Sequence, residues 1–191
     1  MIKILAFAGS ARKDSINKKL VKIAAANAEN LGVTVTFIDL ADYAMPIFDQ
    51  DLEAEQGMPA NAKAFKKLLI EHDGFLIASP EYNSAFSPLL KNAIDWASRA
   101  ETSDESPLLA YKGKTAAIMA ASPSLFGGLR GLASLRLLLS NIGVIVHPDQ
   151  LTIPQAFQAF TDEGTFVNDF QQQLLDDLIK NFITLTKQLQ N

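Results

Sequence analysis

The sequence predicts a three-layer α/β fold in which helices cover both faces of a doubly wound, five-stranded parallel sheet. Short apolar runs alternate with longer segments whose apolar residues recur every three or four positions, and the alternation continues about five times without internal repeats or low-complexity linkers. A chain of 191 residues with 48% hydrophobic residues also has apolar surface for one sizeable core, so residues 1–191 read as one domain.

Residues 2–8 are almost continuously apolar and end at Gly9, the pattern of a central strand buried on both faces. From Asn17 the period changes: Leu20, Ile23, Ala24, Ala28 and Leu31 fall at helical spacing, and Gly32 stands where a helix stops. The β-branched and aromatic run at residues 33–38 makes a second strand and completes a βαβ unit. Residues 39–61 hold Pro46, Gly57, Pro59 and several acids with no sustained period, and read mainly as loop. Phe65, Leu68, Leu69 and His72 mark the next helix, followed by a strand at residues 74–79. Ser87 offers an N-cap oxygen and Pro88 suits the first position of a helix that runs through Trp96, with Ile94 and Trp96 read as core. Residues 114–121 form the fourth strand. Leu129, Leu132, Leu135, Leu139 and Ile142 make a stripe that Gly143 ends before a short strand at residues 144–146. Val167, Phe170, Leu174, Leu178, Phe182, Leu185 and Leu189 give the last helix.

Composition excludes several function classes. A net charge of −4, from 17 Lys plus Arg against 21 Asp plus Glu, gives no broad basic surface for a nucleic-acid backbone, so an anion has to be met locally. The absence of cysteine removes disulfides, thiolate metal sites and a cysteine nucleophile. No stretch reaches the roughly 20 apolar residues of a membrane span, because Arg136 interrupts the richest one. The apolar run after Met1 is too short for a secretory signal, and a cytoplasmic location is expected. His72 and His147 are the only histidines and form no defensible triad. Asp49, Asp51, Glu53 and Glu55 read as a solvated face, and no metal site is expected.

In a doubly wound fold, ligands bind beyond the C-terminal ends of the strands where strand order reverses, which directs attention to three loops. The first is Gly9-Ser-Ala-Arg-Lys-Asp-Ser-Ile-Asn17. Gly9 permits a tight turn, Ser10 and Ser15 carry hydroxyls, Asn17 an amide and Arg12 a guanidinium suited to phosphate oxygens. The following helix adds unpaired N–H groups and a positive dipole end. An ordinary capped loop has the same composition, so this loop alone leaves both readings open. It lacks the nucleoside-triphosphate and dinucleotide glycine patterns, which favours a phosphate monoester. The second loop, Pro80-Glu81-Tyr82-Asn83, places an aromatic and an amide where a bound ring would lie, or else is a turn packed on the domain. In the third, residues 122–128, Gly127-Gly128 either admits close approach of a ligand or loosens a helix entry. Phosphate contacts contribute roughly 1.5–3 kcal/mol each against an association cost of at least about 4 kcal/mol, so phosphate contacts alone give weak binding. A phosphate-tailed heteroaromatic therefore fits better than free phosphate.

The motifs Gly9-Ser10-x-Arg12-x-x-Ser15-x-Asn17, Pro80-Glu81-Tyr82-Asn83 and Leu90-Lys91-Asn92-Ala93-Ile94-Asp95-Trp96 resemble those of the NADPH-dependent FMN reductase family, the flavodoxin-like reductases of quinones, chromate and azo compounds. The resemblance covers nearly the whole chain, departing at residues 84–88 and at Pro123, where glycine is common. It implies a flavodoxin-like sheet, FMN as cofactor and NAD(P)H as co-substrate. It implies that Ser10, Arg12, Ser15, Ile16 and Asn17 hold the FMN phosphate. Pro80, Glu81, Tyr82 and Asn83 would border the isoalloxazine, and the loop with Ser122, Gly127 and Gly128 would close its other side. It also implies homodimers or homotetramers, with the helix carrying Lys91 to Trp96 near the subunit contact, and a small-molecule electron acceptor. No catalytic side chain is required, because the chemistry belongs to the flavin. The competing reading is a flavodoxin-type electron carrier without its own nicotinamide-dependent turnover. Such carriers resemble a more acidic surface and a Thr-rich phosphate loop, neither of which is present.

Overall fold

All five predicted apolar runs become strands of one sheet. The computed structural model describes residues 2–161 and 163–190. In chain order it contains β1 (Lys3–Ala8), α1 (Ile16–Asn30), β2 (Thr34–Asp39), a 3-10 turn (Leu40–Tyr43), α2 (Gln50–Gln56), α3 (Ala60–Glu71), β3 (Gly74–Ala78), β4 (Glu81–Tyr82) and β5 (Ala85–Phe86). It continues with α4 (Pro88–Ala97), β6 (Thr115–Ala121), α5 (Leu129–Asn141), β7 (Ile145–Val146), β8 (Leu151–Ile153) and α6 (Asp169–Leu189). The sheet runs β2-β1-β3-β6, with β7 and β8 both on the outer side of β6 and every pairing parallel.

Alternate residues of β1 explain why it shows no polar face: Ile4, Ala6 and Ala8 enter the core under α1 and α6, while Leu5 and Phe7 enter the core under α3, α4 and α5. Each fully buried large side chain contributes about 1.5–3 kcal/mol, so the two faces together hold the three layers. Ile94 and Trp96 are buried, and the Trp96 indole N–H donates to Pro46 O at 2.8 Å, which anchors the segment preceding α2.

The structure departs from the sequence reading at three places. Residues 39–61 are not mainly loop. Asp39 accepts from Ala41 N to start the 3-10 turn, and Asp49 accepts from Asp51 N and Leu52 N to cap α2. Gly57, with φ of 72°, ends that helix. No residue of α2 is fully buried, so it carries no apolar stripe to detect. The fifth strand position is filled by two pieces. β7 pairs with Thr115 and Ala116, β8 with Met119 to Ala121, and Arg136 satisfies the interruption by donating to His147 O (2.7 Å), Pro148 O (3.2 Å) and Gln150 Oε1 (3.1 Å). The last helix starts at Asp169 rather than Val167, because Asn168 Oδ1 accepts from Phe170 N and caps it.

The second loop of interest, residues 80–86, is a hairpin of β4 and β5 whose turn residues Asn83 and Ser84 have φ of 51° and 66°. Two successive positive φ values give the right-twisted connection that short hairpins favour. Asn tolerates that conformation, whereas Ser84 bears a left-handed strain of about 1–2 kcal/mol. Ser84→Gly is expected to stabilise the protein by about 0.5–1 kcal/mol after the entropy cost of glycine, raising the thermal midpoint by roughly 1–4 °C; calorimetry checks this.

Candidate functional site

Strand order reverses between β1 and β3, since the crossover from β1 leads to β2 on one side and that from β3 leads to β6 on the other. The loops after β1, β3 and β6 meet above this point. Gly9 N donates to Ala78 O at 2.8 Å, continuing the sheet by one residue. Gly9 does not adopt a positive φ, so a tight turn is not what requires glycine there. A Cβ would lie 3.1 Å from both Leu90 Cβ and Ser87 Oγ at the start of α4. Ser87 Oγ donates to Gly9 O at 2.5 Å and accepts from Leu90 N, so the α4 cap also pins the first loop.

A cleft of about 140 Å³ opens between these loops. Its floor and one wall are Ser10, Arg12, Ser15, Ile16 and Asn17; the other wall is Pro80, Glu81 and Tyr82, with Ser122 at the end. Nine of the twelve residues expected from sequence therefore converge (five, three and one). Asn83 lies outside the lining, exposed in the hairpin turn. Gly127 and Gly128 also lie outside it: both are buried, with φ of 60° and 93°, and a Cβ would strike Pro154 N at 2.8 Å or Ala120 Cβ at 2.6 Å. They let the third loop turn tightly onto β6 and β8. Ala121, Pro123 and Phe157 complete the lining and were not among the expected residues. Phe157 escaped notice because β8, the strand that precedes it, has too few residues to give a pattern; the edge rule applied to that strand would have pointed to it.

Arg12 is exposed, and among the described residues its guanidinium has no hydrogen-bond or ion-pair partner. Only its backbone N–H is engaged, donating to Ser10 Oγ at 3.3 Å. Ser15 caps α1 by accepting from Lys18 N, which leaves the amides of Ile16 and Asn17 without a protein acceptor among the described residues. A free guanidinium, two free amides, two hydroxyls and a helix N-terminus form a donor set for a small dianion. The phosphate of a mononucleotide fits it. Asn17 contributes differently from expectation. Its carboxamide accepts from Ala121 N (2.9 Å) and donates to Ala121 O (3.0 Å), which ties the start of α1 to the end of β6. Glu81 likewise turns its carboxylate away from the cleft, towards Arg130 and Gly131 N.

Lys18, in the first turn of α1, pairs with Asp39 at 2.5 Å. Burial works to raise the Asp39 carboxyl, but the Lys18 hydrogen bond, the Ala41 N–H and the charges of Lys18 and Lys22 outweigh it and hold it below its ordinary range. Two larger hollows, about 380 Å³ each, lie between α1 and α6 and between α4 and α5. The first presents Asp176 and Asp177 beside Lys180, which disfavours an anion. Among the described residues no group of acids, histidines or cysteines is placed to hold a metal ion, and no helix is long and apolar enough to cross a membrane.

Fold and cleft together define a mononucleotide-binding, doubly wound α/β protein. The model of the NADPH-dependent FMN reductase family matches residues 2–158, and the chain belongs to that family. It is 34% identical over 185 residues to an NAD(P)H-dependent FMN reductase of Pseudomonas aeruginosa, covering 94% of this chain and 92% of that one. It is 33% identical to an NADPH:quinone oxidoreductase of Arabidopsis thaliana, covering 100% of this chain and 94% of the relative. Among solved structures, the flavoenzyme NAD(P)H:(acceptor) oxidoreductase FerB of Paracoccus denitrificans superposes with a TM-score of 0.80 at 27% identity, each chain covered to 98%.

Replacing Asn17 by Ala removes both bonds to Ala121 and leaves a buried N–H and C=O unpaired. The expected loss is roughly 2–4 kcal/mol of stability, measured by urea unfolding.

Proposed function

We propose that this protein is an FMN-dependent NAD(P)H oxidoreductase that passes electrons to quinone-type and related small-molecule acceptors. The observation that carries the reading is the Arg12 guanidinium beside the amides of Ile16 and Asn17, all without a partner among the described residues, at the mouth of a cleft whose opposite wall presents Tyr82. Family membership and the quinone reductases among the relatives support the same chemistry.

In this reading the Arg12 guanidinium, the Ser10 and Ser15 hydroxyls and the first-turn amides of α1 bind the FMN phosphate. Pro80 and Tyr82, with the backbone at Glu81, line one side of the ring, and Ser122 and Pro123 the other. Asn83, Gly127 and Gly128 shape the loops that present those contacts. When bound, FMN accepts hydride from NAD(P)H and releases electrons to the acceptor. The chain's task is to hold the ring at the sheet edge and leave one face open. The half-exposed Tyr82 and the mostly exposed Phe157 supply apolar surface at the mouth, against which a flat acceptor can shed water.

The proposal treats residues 1–191 as one flavodoxin-like FMN-binding domain, supported by the continuous central sheet. It places the protein in the cytoplasm, where reduced nicotinamide nucleotides are supplied. It also includes a homodimer or homotetramer joined through α4 and α5, supported by the groove of Phe86, Ile94, Leu137, Leu138 and Ile142, in which Leu137 is 64% exposed.

Purified protein should show flavin absorbance or acquire it with FMN, and should oxidise NAD(P)H when a benzoquinone is supplied. Arg12→Ala should weaken FMN binding roughly 10- to 100-fold, read by flavin fluorescence titration. Failure of the wild-type protein to bind FMN overturns the reading. Sedimentation equilibrium should give twice or four times 20.8 kDa, and a 20.8 kDa species at micromolar concentration overturns the oligomer.

A further inference from the structure

The β4–β5 hairpin carries Glu81 and Tyr82 to the cleft, yet neither strand pairs with the central sheet. Its attachment is to α5. Glu81 Oε1 accepts from Arg130 Nε at 3.0 Å, with Arg130 Nη2 at 2.8 Å, and Glu81 Oε2 accepts from Gly131 N at 3.0 Å. The Glu81 side chain is only 8% exposed, whereas Arg130 is 57% exposed.

Each partner has a physical reason to be met by a carboxylate. The N-cap of α5 is Gly128, which has no side chain to accept from the first-turn amides. Gly131 N, in that first turn, finds its acceptor on Glu81 instead, and the positive end of the helix favours the charge. Contact is close, since a Cβ on Gly131 would lie 3.1 Å from Glu81 Cβ and 3.2 Å from Ala85 O. Arg130 also sits over the Phe126 ring, 5.5 Å from its centre, so the same ion pair reaches the loop after β6.

We propose that Glu81 is a positioning residue: its carboxylate joins the hairpin to the N-terminus of α5, fixing Tyr82 and the backbone of residues 80–82 along the cleft without itself touching the ligand. The consequence for flavin affinity rests on the function proposed above, but the joint itself does not.

The test uses the full chain in two forms of measurement. Amide hydrogen exchange on flavin-free protein reads the joint directly. Glu81→Ala should accelerate exchange across residues 82–86 about tenfold or more while β1 and β3 keep their protection, since the lost bonds are charge-assisted. Titration with FMN should show a rise in Kd of similar size. Glu81→Gln, which keeps an acceptor for Gly131 N but loses the charge opposite Arg130, should fall between Glu81→Ala and the wild type in both. Unchanged hairpin exchange overturns the proposal, as does loss of protection spread equally through β1 and β3. Weaker FMN binding with unchanged exchange also overturns it, by making Glu81 a direct contact. If Glu81→Ala fails to fold, the exchange of Glu81→Gln and Arg130→Leu decides by the same criteria. A wild-type chain that binds no FMN sinks the flavin reading while leaving the exchange result to judge Glu81.

Discussion

Two hydrogen bonds between the Asn17 carboxamide and the backbone N–H and C=O of Ala121 hold the two sides of the candidate site together. Asn17 lies at the start of α1 and Ala121 at the end of β6, and their pairing spans β3, which separates β1 from β6 in the sheet. It ties the start of α1, after the first loop, to the end of β6 at the edge where strand order reverses. The bond is made by a group on the first turn of α1, so it also sets the angle at which that helix aims its free amides into the cleft. Ser87 adds a second brace by joining Gly9 O to the first turn of α4. The site is therefore assembled from polar side chains that the backbone consumes, and ligand donors are what remain.

The same contrast governs the charges. Among the described residues, the buried Lys18 and Lys66 and the half-buried Lys114 are matched to acceptors. Lys18 meets Asp39, Lys66 meets Glu105 and Arg99 O, and Lys114 meets the carbonyls of Ile70 and His72 at the end of α3. Burial lowers the affinity of Lys114 for its proton, partly offset by the charge of Asp73. Burying an ammonium is costly unless its donors are satisfied, and each of these is. Arg12 breaks the rule while standing in the open, where solvation removes any folding reason to pair it. In a chain with a net charge of −4, this leaves a cationic group at the mouth of the cleft. That arrangement suits a ligand whose charge is confined to one end.

Rigidity around the cleft is uneven by construction. The α1 wall rises from β1, a strand inside the sheet that is buried at every residue after Lys3, whereas the Tyr82 wall belongs to a two-stranded hairpin outside the sheet. Isolated hairpins of this size are marginal, so the second wall depends on α5 for its position. An enzyme that must bind a flavin firmly and exchange two substrates over it benefits from that division. The proposed phosphate end lies at the first-turn amides of α1, while the opposite end of the cleft is bordered by the exposed side chains of Tyr82 and Phe157.

Much of this was determined by the sequence alone. The five apolar runs, the alternation with helical stripes and the motif around Arg12 depend on nearest-neighbour chemistry and periodicity, and they specify the sheet, its winding and the edge that binds ligand. Elements without an apolar stripe were invisible: α2 is capped by Asp49 and closed by Gly57 but buries no residue completely, and β8 spans only Leu151–Ile153. What only the tertiary structure decided is the allocation of polar groups. Asn17, Glu81 and Arg12 are equally plausible ligand contacts in the sequence. Their roles separate because Ala121 and Gly131 lie within hydrogen-bond reach of the first two, whereas among the described residues no hydrogen-bond or ion-pair partner meets the Arg12 guanidinium. Hydrogen-bond partners 104 and 50 residues away are a property of the folded chain, and no local pattern encodes which donor will be left free.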